Sequence, residues 1–304
     1  MVTMHPAIHL HGVIIPVTTP FSADGSLALD QFASNLRKYE QLPLTGFVIT
    51  GSTGEAVMLT REETERVWAT AGEAGNHKLL IAGTGVDSTA ETISRTRCAA
   101  ELGYSLALVK TPYYYKAMMT PAALEEHFVR VADASPISIL VYSVPMFTGI
   151  TVEADLAARL ARHPNILGIK DSAGDPKRSG EIVRQSPPDF QVVVGSAQNF
   201  AASLAVGARG GILGVACVLP ELCVELFEAH AQKNAAQVED LQKALAEPAR
   251  TIVAKYGPAG VKYAMDKRGY YGGPPRSPLQ GISGAAAAEI DAVLAKLSPT
   301  PASR

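Results

Sequence analysis

The sequence predicts an α/β fold, a (β/α)8 barrel followed by a helical C-terminal domain. Three observations carry this expectation. Eight short apolar, β-branched-rich runs recur along the chain, each bounded by Gly, Pro or a small polar residue. Their starts are separated by roughly 20 to 35 residues, room for one helix between successive parallel strands. After residue 215 the strand signal stops and only helical patterns follow. The rival, a doubly wound open sheet, needs a glycine-rich phosphate loop after its first strand. Here that strand ends Pro16-Val17-Thr18-Thr19-Pro20, with no glycine.

The expected strands are 13–18, 46–50, 79–82, 106–110, 137–142, 166–170, 192–195 and 211–215. The intervening helices are expected at 29–41, 61–75, 89–103, 120–134, 151–162 and 198–207. Thr60 with Glu63 three residues on forms a capping box that opens the second of these. Beyond the strands, 219–232, 234–246, 260–267 and 284–297 read as helices, and 298–304 as a frayed tail. The domain reading is a catalytic barrel over 1–230 and a helical domain over 231–304.

The chain has 304 residues, 47% hydrophobic and 18% charged, enough for one barrel-sized core and an appendage. A formal net charge of -2 offers no basic field for nucleic acid or an anionic membrane. No apolar run approaches membrane-spanning length, and the N-terminus lacks the plan of a signal peptide. Cys98, Cys217 and Cys223 are odd in number and poorly spaced for disulfides or zinc, which points to the cytoplasm. The seven histidines are scattered, so no metal site is expected.

The candidate chemistry lies at the strand ends. Lys170 closes the run Ile166-Leu167-Gly168-Ile169-Lys170 and precedes a small-residue turn. Alternation puts Ser138, Leu140 and Tyr142 on one face of their strand and Ile166, Gly168 and Lys170 on one face of the next. Gly168 is read as leaving room beneath the lysine. Tyr142 and Lys170 then face one cavity. An amine must be neutral to attack a ketone, and burial among apolar neighbours disfavours the ammonium form. A neighbouring phenol can shuttle the protons. Gly51-Ser52-Thr53-Gly54-Glu55 can present backbone N–H groups to a carboxylate, but it lacks the lysine of a phosphate loop. Thr111-Pro112-Tyr113-Tyr114-Tyr115 sets three tyrosines on a loop. Lys110 also ends a strand and is the second choice of nucleophile; Lys116 follows the tyrosines.

Together these segments resemble the dihydrodipicolinate synthase / N-acetylneuraminate lyase family of Schiff-base enzymes. The segments Pro16–Phe21, 51–55, 111–114, 142–145 and 168–172 carry the likeness, which runs over nearly the whole chain. The resemblance implies that Lys170 forms the Schiff base and Tyr142 is the acid/base. It also implies that Thr53 and Tyr114 extend a proton relay, with Tyr114 crossing a dimer interface. Gly51, Ser52 and Thr53 would hold the pyruvyl carboxylate, and Gly195, Ser196 and Phe147 would line the rest of the substrate site. The expected partners are a small 2-oxo acid and three further copies of the chain, a homotetramer built as a dimer of dimers, with no cofactor. Phe147 stands where the dihydrodipicolinate synthases carry a carboxylate-binding arginine, which disfavours that substrate. Tyr142-Ser143-Val144-Pro145 and the stretch from Gly269 to Leu279 resemble the 4-hydroxy-2-oxoglutarate aldolase branch. That branch implies cleavage of 4-hydroxy-2-oxoglutarate to pyruvate and glyoxylate. A 2-keto-3-deoxy sugar-acid aldolase or dehydratase is the alternative, followed by a non-catalytic 2-oxo-acid binder. A second carboxylate would need a further cationic or N–H-rich subsite, for which Lys116 and the Gly195-Ser196 loop are the candidates.

Overall fold

The computed structural model describes residues 8–75 and 78–297, so His5, His77 and the expected frayed tail lie outside the described residues. Eight parallel strands close into a barrel in sequential order: β1 (Gly12–Pro16), β2 (Gly46–Ile49), β3 (Leu79–Gly83), β4 (Leu106–Lys110), β5 (Ser138–Ser143), β6 (Ile166–Asp171), β7 (Gln191–Val194) and β8 (Gly210–Ile212). Helices α1 (Leu29–Glu40), α2 (Arg61–Ala74), α3 (Thr89–Glu101) and α4 (Pro121–Ala134) follow the first four strands. A one-turn α5 (Pro145–Thr148), α6 (Ala154–Leu160), α7 (Pro176–Gln185) and α8 (Phe200–Ala205) continue the alternation. Then come α9 (Pro220–Ala231), α10 (Ala235–Pro248), α11 (Gly257–Lys267) and α12 (Gly284–Ala295). The capping box at Thr60 and Glu63 is present at the start of α2.

Strand alternation divides the apolar residues into two cores. Ile14, Val48, Ile81, Leu108, Leu140 and Val193 fill the barrel interior beneath Tyr142. Val13, Phe47, Val109, Val141, Ile169 and Val192 face the helices. Leu140 and Tyr142 thus point inward while Ile139 and Val141 point outward, as the pattern predicts.

The adjoining strand departs from the expected pattern. Ile139 pairs with Ile166 but Leu140 pairs with Gly168, so β6 carries one extra residue, a bulge. Ile166 therefore packs among the helices, not on the face of Lys170. Gly168 is also there for another reason than room for the lysine. A Cβ at this position would stand 2.0 Å from the backbone oxygen of Gln191, so only glycine lets β6 approach β7.

Two helical segments go beyond the sequence reading. Helix α7 is N-capped by Asp175, whose side chain accepts from the Lys177 N–H. Residues Ala249–Lys255 form a π-helical stretch that joins α10 to α11. No described helix is long and apolar enough to cross a membrane.

Candidate active site

Lys170 and Tyr142 are register partners across β5 and β6, at the C-terminal mouth of the barrel. Lys170 is 4% exposed and Tyr142 5%. Lys170 Nζ lies 4.2 Å from the centre of the Tyr142 ring. Both line a cavity of about 120 Å³. Ser172, Ser196 and Gln198 give its lining polar groups, and Met146, Phe147 and Val253 give apolar ones. Gly195 supplies the space between them. A Cβ there would fall 1.8 Å from Ser172 Oγ and 3.3 Å from Lys170 Cε.

The loop after β2 brings Ser52 and Thr53 to the same cavity. Ser52 Oγ is 3.4 Å from the Tyr142 hydroxyl, and either can donate. This loop is held in an uncommon shape. Thr50 and Glu55, at its two ends, have φ of 55° and 54°, left-handed values that non-glycine residues seldom adopt. Each end is pinned by a side chain. The Trp68 indole N–H donates to Thr50 Oγ1 at 2.8 Å. The Glu55 carboxylate forms a fully buried ion pair with Lys262 of α11 at 2.5 Å and accepts the Arg276 backbone N–H at 2.9 Å. Arg276 in turn grips Glu63 of α2 through its two terminal guanidinium nitrogens, at 2.5 and 2.7 Å. That hydrogen-bonded guanidinium holds the Glu63 carboxyl below the usual carboxylate range.

A second, wider cavity of about 320 Å³ lies beyond Tyr142. It shares Ser52, Tyr142, Val144, Phe147 and Pro258 with the first. Gly51 and Lys110 line this second cavity and not the one containing Lys170.

Of the residues singled out in the sequence, Lys170, Tyr142, Ser52, Thr53, Gly195, Ser196 and Phe147 meet around one cavity. Tyr114 does not: it is 74% exposed and lines neither cavity of this chain. Lys116 lines neither as well, its side chain lying over Gly149. Sequence reasoning missed Ser172 and Gln198 as lining residues, and also the wall contributed by the helical C-terminal region, Val253, Pro258 and Val261. Ser172 had a usable signal, since it sits two residues after Lys170 in the turn that leaves the strand. The C-terminal residues had none, because only the packed fold brings them over the barrel mouth. Among the described residues, no three His, Cys, Asp or Glu side chains come together in a group able to hold a metal ion.

Fold and cavity define an enzyme of the (β/α)8 class, with its chemistry at the C-terminal ends of the strands. A family model described as the dihydrodipicolinate synthetase family matches residues 9–297. The chain belongs to that family, and it is a carbon–carbon lyase of the aldolase type. It is 35% identical over 280 residues to a 4-hydroxy-tetrahydrodipicolinate synthase of Exiguobacterium sp., covering 92% of this chain and 95% of the relative. It is 34% identical over 287 residues, 92% of each chain, to an Emericella nidulans protein named "Probable 4-hydroxy-2-oxoglutarate aldolase, mitochondrial". A solved structure of the dihydrodipicolinate synthase from Acinetobacter baumannii, complexed with pyruvate, superposes with a TM-score of 0.90 at 29% identity, covering 94% of this chain and 98% of that one.

Proposed function

We propose that the protein is a Schiff-base aldolase that cleaves a 4-hydroxy-2-oxo acid to pyruvate and an aldehyde. The observation that carries this reading is the in-register Lys170–Tyr142 pair, buried at the barrel mouth with Nζ 4.2 Å from the ring centre. The neutral Lys170 amine attacks the C2 ketone, and loss of water from the carbinolamine gives an iminium. Tyr142 takes the proton of the C4 hydroxyl. The C3–C4 bond breaks, its electron pair flows into the iminium, and the aldehyde leaves. Protonation of the enamine at C3 and hydrolysis release pyruvate and return the free amine. Thr53, and Tyr114 from a second copy of the chain, extend the proton path from Tyr142. Ser52 and Thr53, which line the Lys170 cavity, bind the pyruvyl carboxylate, and Gly51, on the neighbouring cavity, shapes their loop.

The substrate we favour is 4-hydroxy-2-oxoglutarate, with glyoxylate as the second product. Support comes from the relative of that name, while Phe147, whose ring cannot take the part of a carboxylate-binding arginine, weighs against a dihydrodipicolinate synthase. The hydroxyl and amide wall of Ser172, Ser196 and Gln198 favours the second reading, an aldolase or dehydratase for a polyhydroxylated sugar acid. The same proposal has the enzyme working in the cytoplasm as a homotetramer, without a cofactor, with its barrel over 1–230 and its helical domain over 231–304. Val57, Tyr114, Tyr115, Met118 and Phe147, large apolar side chains exposed on the loops after β2, β4 and β5, are surfaces suited to such an assembly.

Borohydride reduction in the presence of pyruvate, read by intact mass and peptide mapping, tests the mechanism. One pyruvyl adduct per chain on Lys170 is expected. No adduct, or one on Lys110, would overturn it.

A further inference from the structure

Lys110 is the second cation at the barrel mouth. Leu106, Leu108 and Lys110 alternate onto the inner face of β4, and the two leucines are part of the barrel interior. Lys110 is the register partner of Tyr142, as Lys170 is on the other side. Three consecutive strands therefore present Lys110, Tyr142 and Lys170 in a row at one level of the barrel.

The environment of Lys110 leaves its charge unanswered. It is half-buried in the wall of the wider cavity, and its Nζ rests 4.7 Å from the centre of the Tyr113 ring. Among the described residues it forms no ion pair. Asp87 is the nearby carboxylate, but its Oδ1 accepts the backbone N–H groups of Tyr113 and Tyr114, at 2.7 and 2.9 Å. Glu55 lines the same cavity and is committed to Lys262. Burial moves the Lys110 amine below the ordinary lysine value, and Asp87 only partly opposes this. An unpaired cation on a cavity wall fits an anionic ligand.

We infer that Lys110 binds the distal carboxylate of the substrate, so that the site selects dicarboxylic over monocarboxylic 2-oxo acids. This rests on the Schiff-base reading of Lys170. The order of groups in the substrate matches the order of strands. C2 sits at Lys170 on β6, the C4 hydroxyl at Tyr142 on β5 and the C5 carboxylate at Lys110 on β4. Two strand spacings separate the lysine backbones by about 10 Å. Their long side chains reach inward over a carbon chain whose C2 and C5 stand about 4 Å apart. Lys110 thus takes the place that the sequence reading offered to Lys116.

The test uses 2-oxoglutarate and 2-oxopentanoate, which share a five-carbon 2-oxo skeleton and differ in the terminal carboxylate. The full-length protein is offered both at equal concentration, reduced with borohydride, and the two Lys170 adduct masses are compared. The 2-oxoglutarate adduct should dominate in the parent protein. Lys110→Met should cut that preference about 10- to 100-fold, the range for a charge-assisted hydrogen bond. Lys110→Arg should keep most of it, and Lys116→Met should leave it intact. No preference in the parent, an unchanged ratio in Lys110→Met, or an equal loss in Lys116→Met would overturn the assignment. Calorimetric titration with the same two acids, without reductant, reads Lys110 independently. Selective binding lost in Lys110→Met with no adduct on Lys170 would sink the Schiff base and leave the carboxylate site standing.

Discussion

At the residue scale, Gly195 shows how little free space the barrel mouth contains. A Cβ at this position would stand 1.8 Å from Ser172 Oγ, far inside contact distance. Gly195→Ala should therefore displace Ser172 or the Lys170 arm and lower pyruvate trapping at least tenfold, while the thermal midpoint moves little. Trapping at the parent rate would show that the two side chains move aside at no cost. Lys170 and Tyr142 were legible from the sequence because alternation fixes the face of a strand-end residue, and Tyr142 obeys it. The same rule placed Ile166 wrongly, since a bulge is one unpaired residue with no compositional mark. Gly168 and Gly195 look alike in sequence. One admits a neighbouring backbone and the other two side chains, a difference that only the packed strands reveal.

At the scale of elements, the loop after β2 depends on partners far away in the chain. Its shape needs left-handed backbone at Thr50 and Glu55, each costing on the order of 1–3 kcal/mol unless the surroundings impose it. The Glu55–Lys262 pair is part of what imposes it at one end. Lys262→Met leaves a buried carboxylate without its cation and should destabilise the protein by about 3–5 kcal/mol. The double variant Glu55→Gln/Lys262→Met should recover part of that loss. Urea midpoints of the two variants check this, and an equally unstable double variant would show that the pair is not the cause. The barrel strands and most helices were legible because apolar runs and helical periodicity are local signals. Helix α7 was not, because its sequence Pro-Lys-Arg-Ser-Gly-Glu is polar over the first turns and its burial is confined to Ser179, Gly180 and Ile182. The π-helical stretch was not legible either: it fills the gap left between the expected helices 234–246 and 260–267, and Pro248 at its start reads as a helix end.

At the scale of the whole molecule, stability toward acid should be set in part by His127 on α4. Its Nδ1 is 2.9 Å from Thr89 Oγ1, and its buried Nε2 has no partner among the described residues. Burial, aided by the Lys110 charge, lowers its pKa from the ordinary 6.5 to about 4. The unfolded chain therefore takes up this proton before the folded one does. The resulting stabilisation is complete above pH 6.5 and is lost as pH falls toward 4, amounting to about 3 kcal/mol. His127→Gln should flatten the fall in urea midpoint between pH 6.5 and 4. A slope identical to that of the parent would show that other groups set the acid limb.

The Glu55–Lys262 pair also bears on when the protein becomes an enzyme during its synthesis. The loop that carries Ser52 and Thr53 leaves the ribosome early, but the cation that fixes its far end is encoded about 200 residues later. At ordinary elongation rates that is a delay on the order of ten seconds or more. Over that interval Glu55 lacks its Lys262 partner. A chain shorter than 262 residues lacks the cation that pairs with Glu55, so the far end of the loop beside Tyr142 gains that anchor only after α11 has been made.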